Sequence, residues 1–283
     1  MLVSLKEIFR IAEEKGCAVG SFNTPNLEAL CSVIRAAQDL DQPVIIQFAQ
    51  CHETLKPLAL MGPMMVEAAK KASVPVCVHL DHGETLEYLE EALKMGFTGI
   101  MYDGSVLPYK ENATNTKKAV DLAKQYGAGV EAELGSMGRR ESGAGDQTGA
   151  EDETKIYTDP ILARQFVEET GIDALACSFG TTHGIYLSEP KLDFDVIKNV
   201  RKECDDIPVV MHGGSGISEE DFQKCIQAGV RKVNYFTYMD KAGGTAVIHH
   251  EWKNPIFYSD LIKEAEEAMY QQVKEAIRVF SLQ

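Results

Sequence analysis

Apolar residues gather in eight short runs along this chain, each followed by a stretch whose apolar positions recur at helical spacing. The runs are AVGSFNT (18–24), PVIIQFA (43–49), PVCVHLD (75–81), GIMYDG (99–104), GVEAELG (129–135), DALACSFG (173–180), PVVMHGG (208–214) and KVNYFT (232–237). Most are nearly continuous, as expected for strands covered on both faces. Eight strands alternating with helices predict an α/β fold, a closed (β/α)8 TIM barrel, with one domain over residues 1–283. A doubly wound open sheet is the competing architecture. The final segment, YSDLIKEAEEAMYQQVKEAIRVF, reads as a long amphipathic helix. It forms a C-terminal helical extension suited to a subunit interface.

Several helix ends are legible. Thr24 and Pro25 stand where an N-cap and first helical residue belong. Asp159-Pro160 repeats that pattern, and Gly171 closes its helix. Ser218 opens another with Asp221 three residues on, and Gly229 ends it. One segment breaks the rhythm. GSMGRRESGAGDQTGAEDETK (135–155) is Gly-rich and polar, whereas βα loops usually run to about 2–6 residues. It is expected to be a mobile active-site lid, the alternative being plain disorder.

The active site of such a barrel lies at the C-terminal ends of its strands. Polar residues collect there: Asn23, Asp81, His82, Asp103, Glu131, Glu133, His183, His212 and Asn234. A lone strand-end His is more often a hydrogen-bonded core residue than a ligand. Three at the same end of three strands change that balance. His82, His183 and His212 are each followed by Gly, which allows close backbone approach. Three imidazoles with an open fourth position suit catalytic zinc. His52, His249 and His250 read as surface residues, and His79 as interior support. HGGSG (212–216) is either a phosphate-cradling turn at a helix start or an ordinary tight turn. The loops after strands seven and eight are the usual barrel phosphate site, and NYFT places Asn234 and Thr237 beside it.

Composition narrows the function class. Hydrophobic content is 45% and charged content 25%, as in a soluble globular chain. A net charge of -15 argues against nucleic acid and against an anionic membrane surface. Seven cysteines are scattered singly, with no CxxC, which suggests free thiols in a reducing compartment. Neither an apolar signal core nor a spanning run is evident, so the expected location is the cytoplasm.

Together these motifs resemble the class II, metal-dependent ketose-bisphosphate aldolases, the group that includes fructose- and tagatose-bisphosphate aldolases. The likeness runs through GSFNTPNLEAL, HLDHG, GIMYDGS, VEAELG, YTDP, FGTTHGIY, MHGGSGIS and KVNYFT, and covers most of residues 1–240. It implies a lyase of carbohydrate metabolism, of the glycolytic kind. Such an enzyme reversibly cleaves a phosphorylated ketose to dihydroxyacetone phosphate and an aldehyde through a zinc-stabilised enediolate. By that resemblance His82, His183 and His212 bind one Zn2+ per subunit, with Glu133 as a carboxylate near the metal. Asp81 is the acid/base on the cleaved hydroxyl. Glu141, in the long loop, moves the proton at the ketone's α-carbon. Asn23, Gly184, Gly213, Ser215, Asn234 and Thr237 bind the substrate, all but Asn23 matching the dihydroxyacetone phosphate half. A monovalent cation site and a homodimer or homotetramer are further family features. The chemistry suits the residue types: a Lewis acid on the ketone oxygen replaces a Schiff-base lysine, and no lysine in the strand runs stands out as one.

The chain also departs from that family. Ala49 stands where many relatives have Ser or Thr, and Ile256 follows Pro255 where relatives often carry Arg. Both positions serve the aldehyde-side phosphate. Leu187 replaces a common Lys, and Tyr235 and Phe236 replace smaller or acidic residues. A phosphate dianion needs charge-assisted donors, so the aldehyde half is expected not to be a conventional triose phosphate. Its end is either uncharged or met by other groups such as Arg139 and Arg140. Alternatively, the match near residue 256 is shifted and an Arg arrives from a neighbouring subunit. The other readings are a metal-dependent sugar-phosphate epimerase or isomerase, and a non-catalytic sugar-phosphate-binding barrel.

Overall fold

The computed structural model describes residues 1–135, 157–186 and 189–283. The eight apolar runs all become strands: β1 (Val19–Asn23), β2 (Val44–Ala49), β3 (Val76–Gly83), β4 (Gly99–Tyr102), β5 (Gly129–Leu134), β6 (Ala174–Cys177), β7 (Val209–Met211) and β8 (Val230–Asn234). They pair in parallel in chain order and close into a barrel, with Val19 of β1 opposite Lys232 of β8. The competing open sheet is therefore excluded. Between the strands run α2 (Leu27–Asp39), α3 (Leu58–Lys71), α4 (Leu86–Met95), α5 (Tyr109–Tyr126), α6 (Pro160–Thr170), α7 (Phe194–Glu203) and α8 (Glu219–Ala228).

Three further helices complete the molecule. The first, α1 (Leu5–Lys15), plugs the N-terminal end of the barrel. Its Leu5, Ile8, Phe9 and Ala12 form a closed apolar cluster with Val19, Ile45, Cys77, Ala174 and Val210 from the strands. The plug fits closely because Gly99 and Gly129 lack side chains; a Cβ there would lie 3.1 and 2.9 Å from Leu5 Cβ. After β8 comes α9 (Thr237–His249), and α10 (Tyr258–Phe280) ends the chain. The C-terminal α10 packs against α2, α8, α9 and β1, closing the outer ring. Phe280 at its end meets Phe222 and Tyr235 and accepts a hydrogen bond from Ala18 N–H.

Most caps stand where the sequence put them. Asp159 caps α6, Ser218 caps α8 by accepting from Asp221 N–H, and Gly171 ends α6 in the left-handed region. The start of α2 differs. Its N-cap is Asn26, not Thr24, and the helix begins at Leu27 rather than Pro25. Thr24 follows directly on β1, and its N–H donates to Gln47 O of β2. Among the described residues no helix is long and apolar enough to cross a membrane.

Strand alternation sorts the barrel interior into levels. The lowest is the apolar cluster against α1. Above it five of the strands carry Ser21, Gln47, His79, Glu131 and Lys232, and two residues further Asn23, Ala49, Asp81, Glu133 and Asn234. Every one of these ten is buried. Above the apolar floor these strands therefore turn polar inside, up to the C-terminal mouth where the predicted site lies.

Candidate active site

His82 reaches the mouth from an irregular strand end. The β3–β4 register shifts between Leu80 and Gly83, and His82 adopts φ +49°. That left-handed conformation costs a non-glycine residue about 1–2 kcal/mol, and a bulge of this kind re-aims a side chain. The ring meets His183, from the loop after β6, and His212, the residue following β7. His212 Nδ1 lies 3.1 Å from His82 Nε2 and 3.3 Å from His183 Nε2. The three sequence-predicted imidazoles therefore converge.

Carboxylates hold two of the rings from behind. Asp103 Oδ2 accepts from His82 Nδ1 at 2.8 Å, and Glu131 Oε1 accepts from His212 Nε2 at 2.8 Å. Placing the ring protons on those sides turns bare lone pairs of His82 Nε2 and His212 Nδ1 toward each other. Such a pair is repulsive unless a positive charge sits between or beside it. Burial disfavours charge on His82, but Asp81 and the hydrogen bond to Asp103 outweigh it and push its pKa up to about 10. His212 is driven well below the ordinary imidazole value, first by burial and then by His82. The donor set is thus built around one cation, and His82, His183 and His212 can hold a metal ion. His82, Asp103 and Glu133 form a second group with ligand atoms within 4.8 Å of one another.

Asp81 sits beside this cluster, with Oδ1 4.0 Å from His82 Nε2. Gln47 Nε2 donates to its Oδ2 at 3.0 Å and Asn234 Nδ2 to its Oδ1 at 3.2 Å. Burial raises the pKa of Asp81, yet His82, Lys232 and His212 more than offset this and leave it below the usual carboxylate range. Gln47 is itself fixed by Ser21 Oγ, which donates to its Oε1, and by Asn23, whose Oδ1 accepts from it.

A pocket opens from Asp81 and His183 toward Gly184, Gly213, Ser215, Asn234 and Thr237, with Asn23 in its wall. All six predicted substrate-binding residues therefore line one cavity. Within HGGSG, Gly213 has φ +65°, and the Tyr186 hydroxyl donates to its carbonyl while accepting from Thr182 N–H, tying the turn to the His183 loop. The N-terminus of α9 also faces this pocket through Phe236 and Thr237; Phe236 has no capping side chain, and Ser215 Oγ accepts from Tyr238 N–H in the first turn. Helix starts favour anions.

Some expectations fail or lie beyond reach. His52 is not a surface residue. It is 8% exposed, in the turn Gln50–Thr54 after β2, and its ring packs against Phe48 and Phe236. His249 and His250 are exposed, and His79 is interior as expected. Glu131 does not reach the rim with Glu133; it lies one level lower, beneath His212. A lysine does lie within the strands: Lys232 is fully buried in β8, with Nζ 2.8 Å from Glu131 Oε2. Ala49 is buried in register with Asp81, while Ile256 is 47% exposed on the segment between α9 and α10. Glu141, Arg139, Arg140, the rest of the predicted lid from 136 to 155, and Leu187 lie outside the described residues. Gln47 was passed over in the sequence, although it is a lone amide in the apolar run VIIQFA.

The chain matches the family model "Fructose-bisphosphate aldolase class-II" over residues 3–283. It is 37% identical over 284 residues to YdjI of Escherichia coli K12, a protein described as uncharacterized, covering 99% of this chain and 98% of that one. Identity is also 37% to a fructose-bisphosphate aldolase of Staphylococcus aureus Mu50, over 99% of this chain and 97% of that one. The crystal structure of the Escherichia coli K12 YdjI aldolase superposes with a TM-score of 0.87 at 36% identity, covering 99% and 97% of the two chains.

Proposed function

Given that this chain belongs to the class II fructose-bisphosphate aldolase family, and so is a carbon–carbon lyase, we propose a zinc-dependent aldolase releasing dihydroxyacetone phosphate from a phosphorylated ketose. The observation carrying this reading is the convergence of His82, His183 and His212 beside the Asp81 carboxylate. His82 Nε2, His183 Nε2 and His212 Nδ1 would hold the zinc, with Glu133 available as a further carboxylate. A zinc ion bound there supplies Lewis-acid stabilisation of the negative charge that develops on the ketone oxygen.

The chain's own residues do the rest. Asp81, ionised and steadied by two amide donors, takes the proton from the hydroxyl that becomes the aldehyde and returns it in the condensation direction. Glu141 moves the proton at the α-carbon of the ketone half. Gly184, Gly213, Ser215, Asn234 and Thr237 bind the phosphate of that half, aided by the start of α9. At the other end of the substrate, Ala49 stands in register with Asp81 and offers no hydroxyl there. This supports an aldehyde product that is not a conventional triose phosphate.

Deuterium exchange into dihydroxyacetone phosphate tests the reading without knowledge of the aldehyde. Followed by NMR in D2O, one prochiral hydrogen should exchange, cease to exchange with chelator, and resume with zinc. Absence of exchange from fully metal-loaded protein would reject this donor. An epimerase acting on a sugar phosphate would release no triose phosphate at all.

A further inference from the structure

The Glu131–Lys232 pair touches neither the substrate pocket nor a reacting atom. Both side chains are fully buried. Removing two charges from water is costly, and well-packed apolar residues of similar volume often serve a fold as well or better. One level below, the same barrel is closed with Val19, Ile45, Cys77, Ala174 and Val210. Apolar packing is therefore available to this interior, and the pair needs another reason.

Its geometry supplies one. The two oxygens of Glu131 face opposite tasks: Oε1 accepts from His212 Nε2 at 2.8 Å, while Oε2 lies 2.8 Å from Lys232 Nζ. We infer that Lys232 and Glu131 are positioning residues that lock His212 in the tautomer and orientation presenting Nδ1 to the metal, Lys232 acting through Glu131. Asp103 does the equivalent for His82 directly, without a lysine. The difference follows from depth. Asp103 also accepts from Ser105 N–H and Oγ, whereas Glu131 lies beneath the cluster where Lys232 provides the cation against its second oxygen. A carboxylate behind a ligating imidazole fixes the ring and raises its basicity, and losing such a partner typically weakens metal binding about 10–100-fold. Lys232 is thereby also excluded as a Schiff-base nucleophile, because its amine is turned away from the pocket onto Glu131.

This inference rests on the three-histidine metal reading, and the test separates the two. Zinc affinity is measured by chelator competition for the wild type, Lys232→Met, Glu131→Gln and the double variant. Thermal melts of each metal-free protein report folding. In parallel, 15N-histidine NMR reads the ring tautomer of His212 in the metal-free state, which a merely space-filling role would not move. Expected are stoichiometric zinc on the wild type and a 10–100-fold weaker affinity for each single variant. The double variant should be no worse than Glu131→Gln, with His212 losing its single Nε2–H tautomer whenever Glu131 is changed. Wild type without stoichiometric zinc would defeat the metal reading. Folded Lys232→Met with unchanged affinity, or Glu131→Gln with unchanged affinity and His212 tautomer, would defeat the inference. If Lys232→Met does not fold, the Glu131→Gln results decide alone.

Discussion

Asp81 receives a hydrogen bond on each oxygen, and both donors are neutral amides. Amides orient a carboxylate without neutralising it, so the group stays a proton acceptor. The Gln47→Met variant keeps the volume and removes one donor. A hydrogen bond to a charged group contributes about 1.5–3 kcal/mol, and tenfold corresponds to about 1.4 kcal/mol. On the proposed role of Asp81, the cleavage kcat should therefore fall about 10–100-fold, and because Gln47 also bonds Asn23 and lines the pocket, KM should rise by a smaller factor. A change in KM alone, measured in steady state, would move Gln47 to substrate binding. The sequence held a clue to this residue: Ser21, Gln47, His79, Glu131 and Lys232 are all polar positions inside strands otherwise rich in apolar residues. The partners of each were not legible, since every one of these contacts joins different strands. His52 shows the same limit. Its burial comes from Phe236, which is far away in the chain and near only after the barrel closes.

Two loops carry His183 and His212, and their spacing depends on Gly213. At φ +65° a side chain is strained, and a Cβ there would also collide with the backbone carbonyl of Thr182. Gly127, which ends α5 at φ +69°, meets nothing within 4 Å. The two glycines therefore separate dihedral strain from collision. Gly127→Ala should cost only the left-handed penalty, about 1–2 kcal/mol by denaturant unfolding. Gly213→Ala should cost more and also weaken zinc binding by at least about tenfold, because the collision forces the His183 loop off the His212 loop. Equal stability losses with intact zinc affinity would show that the loops move apart harmlessly. At this scale the strands were readable because both of their faces are buried, which leaves nearly unbroken apolar runs. The α2 cap was misplaced by two residues for a tertiary reason. Thr24 and Asn26 are both competent caps, but the Thr24 hydroxyl is turned to Gln47 O of β2, and Asn26 Oδ1 accepts from Ala29 N–H.

Across the whole molecule, the machinery that closes the barrel is distinct from the machinery at its mouth. The floor is sealed by α1, and the strands' outer faces pack Phe22, Phe48, Leu80 and Ile100 against the helical ring, which α10 completes. None of this depends on a cation at His82, His183 and His212. That α10 closes the ring could not be read from its amphipathic pattern, which fits a subunit interface equally well; the return of Phe280 to Ala18 settles it. The metal-free protein should accordingly stay folded, with unchanged far-ultraviolet circular dichroism after chelation. Its thermal midpoint should still drop, because ligand bound only to the native state stabilises by about 2.7 kcal/mol at a free concentration of 100 Kd. At roughly 2–4 °C per kcal/mol for a large domain, adding zinc at that excess should raise Tm by about 5–10 °C. A chelated protein that loses its helical signal outright would mean that the converging imidazoles hold the mouth of the barrel shut, and that a cation there is part of the fold as well as of the reaction.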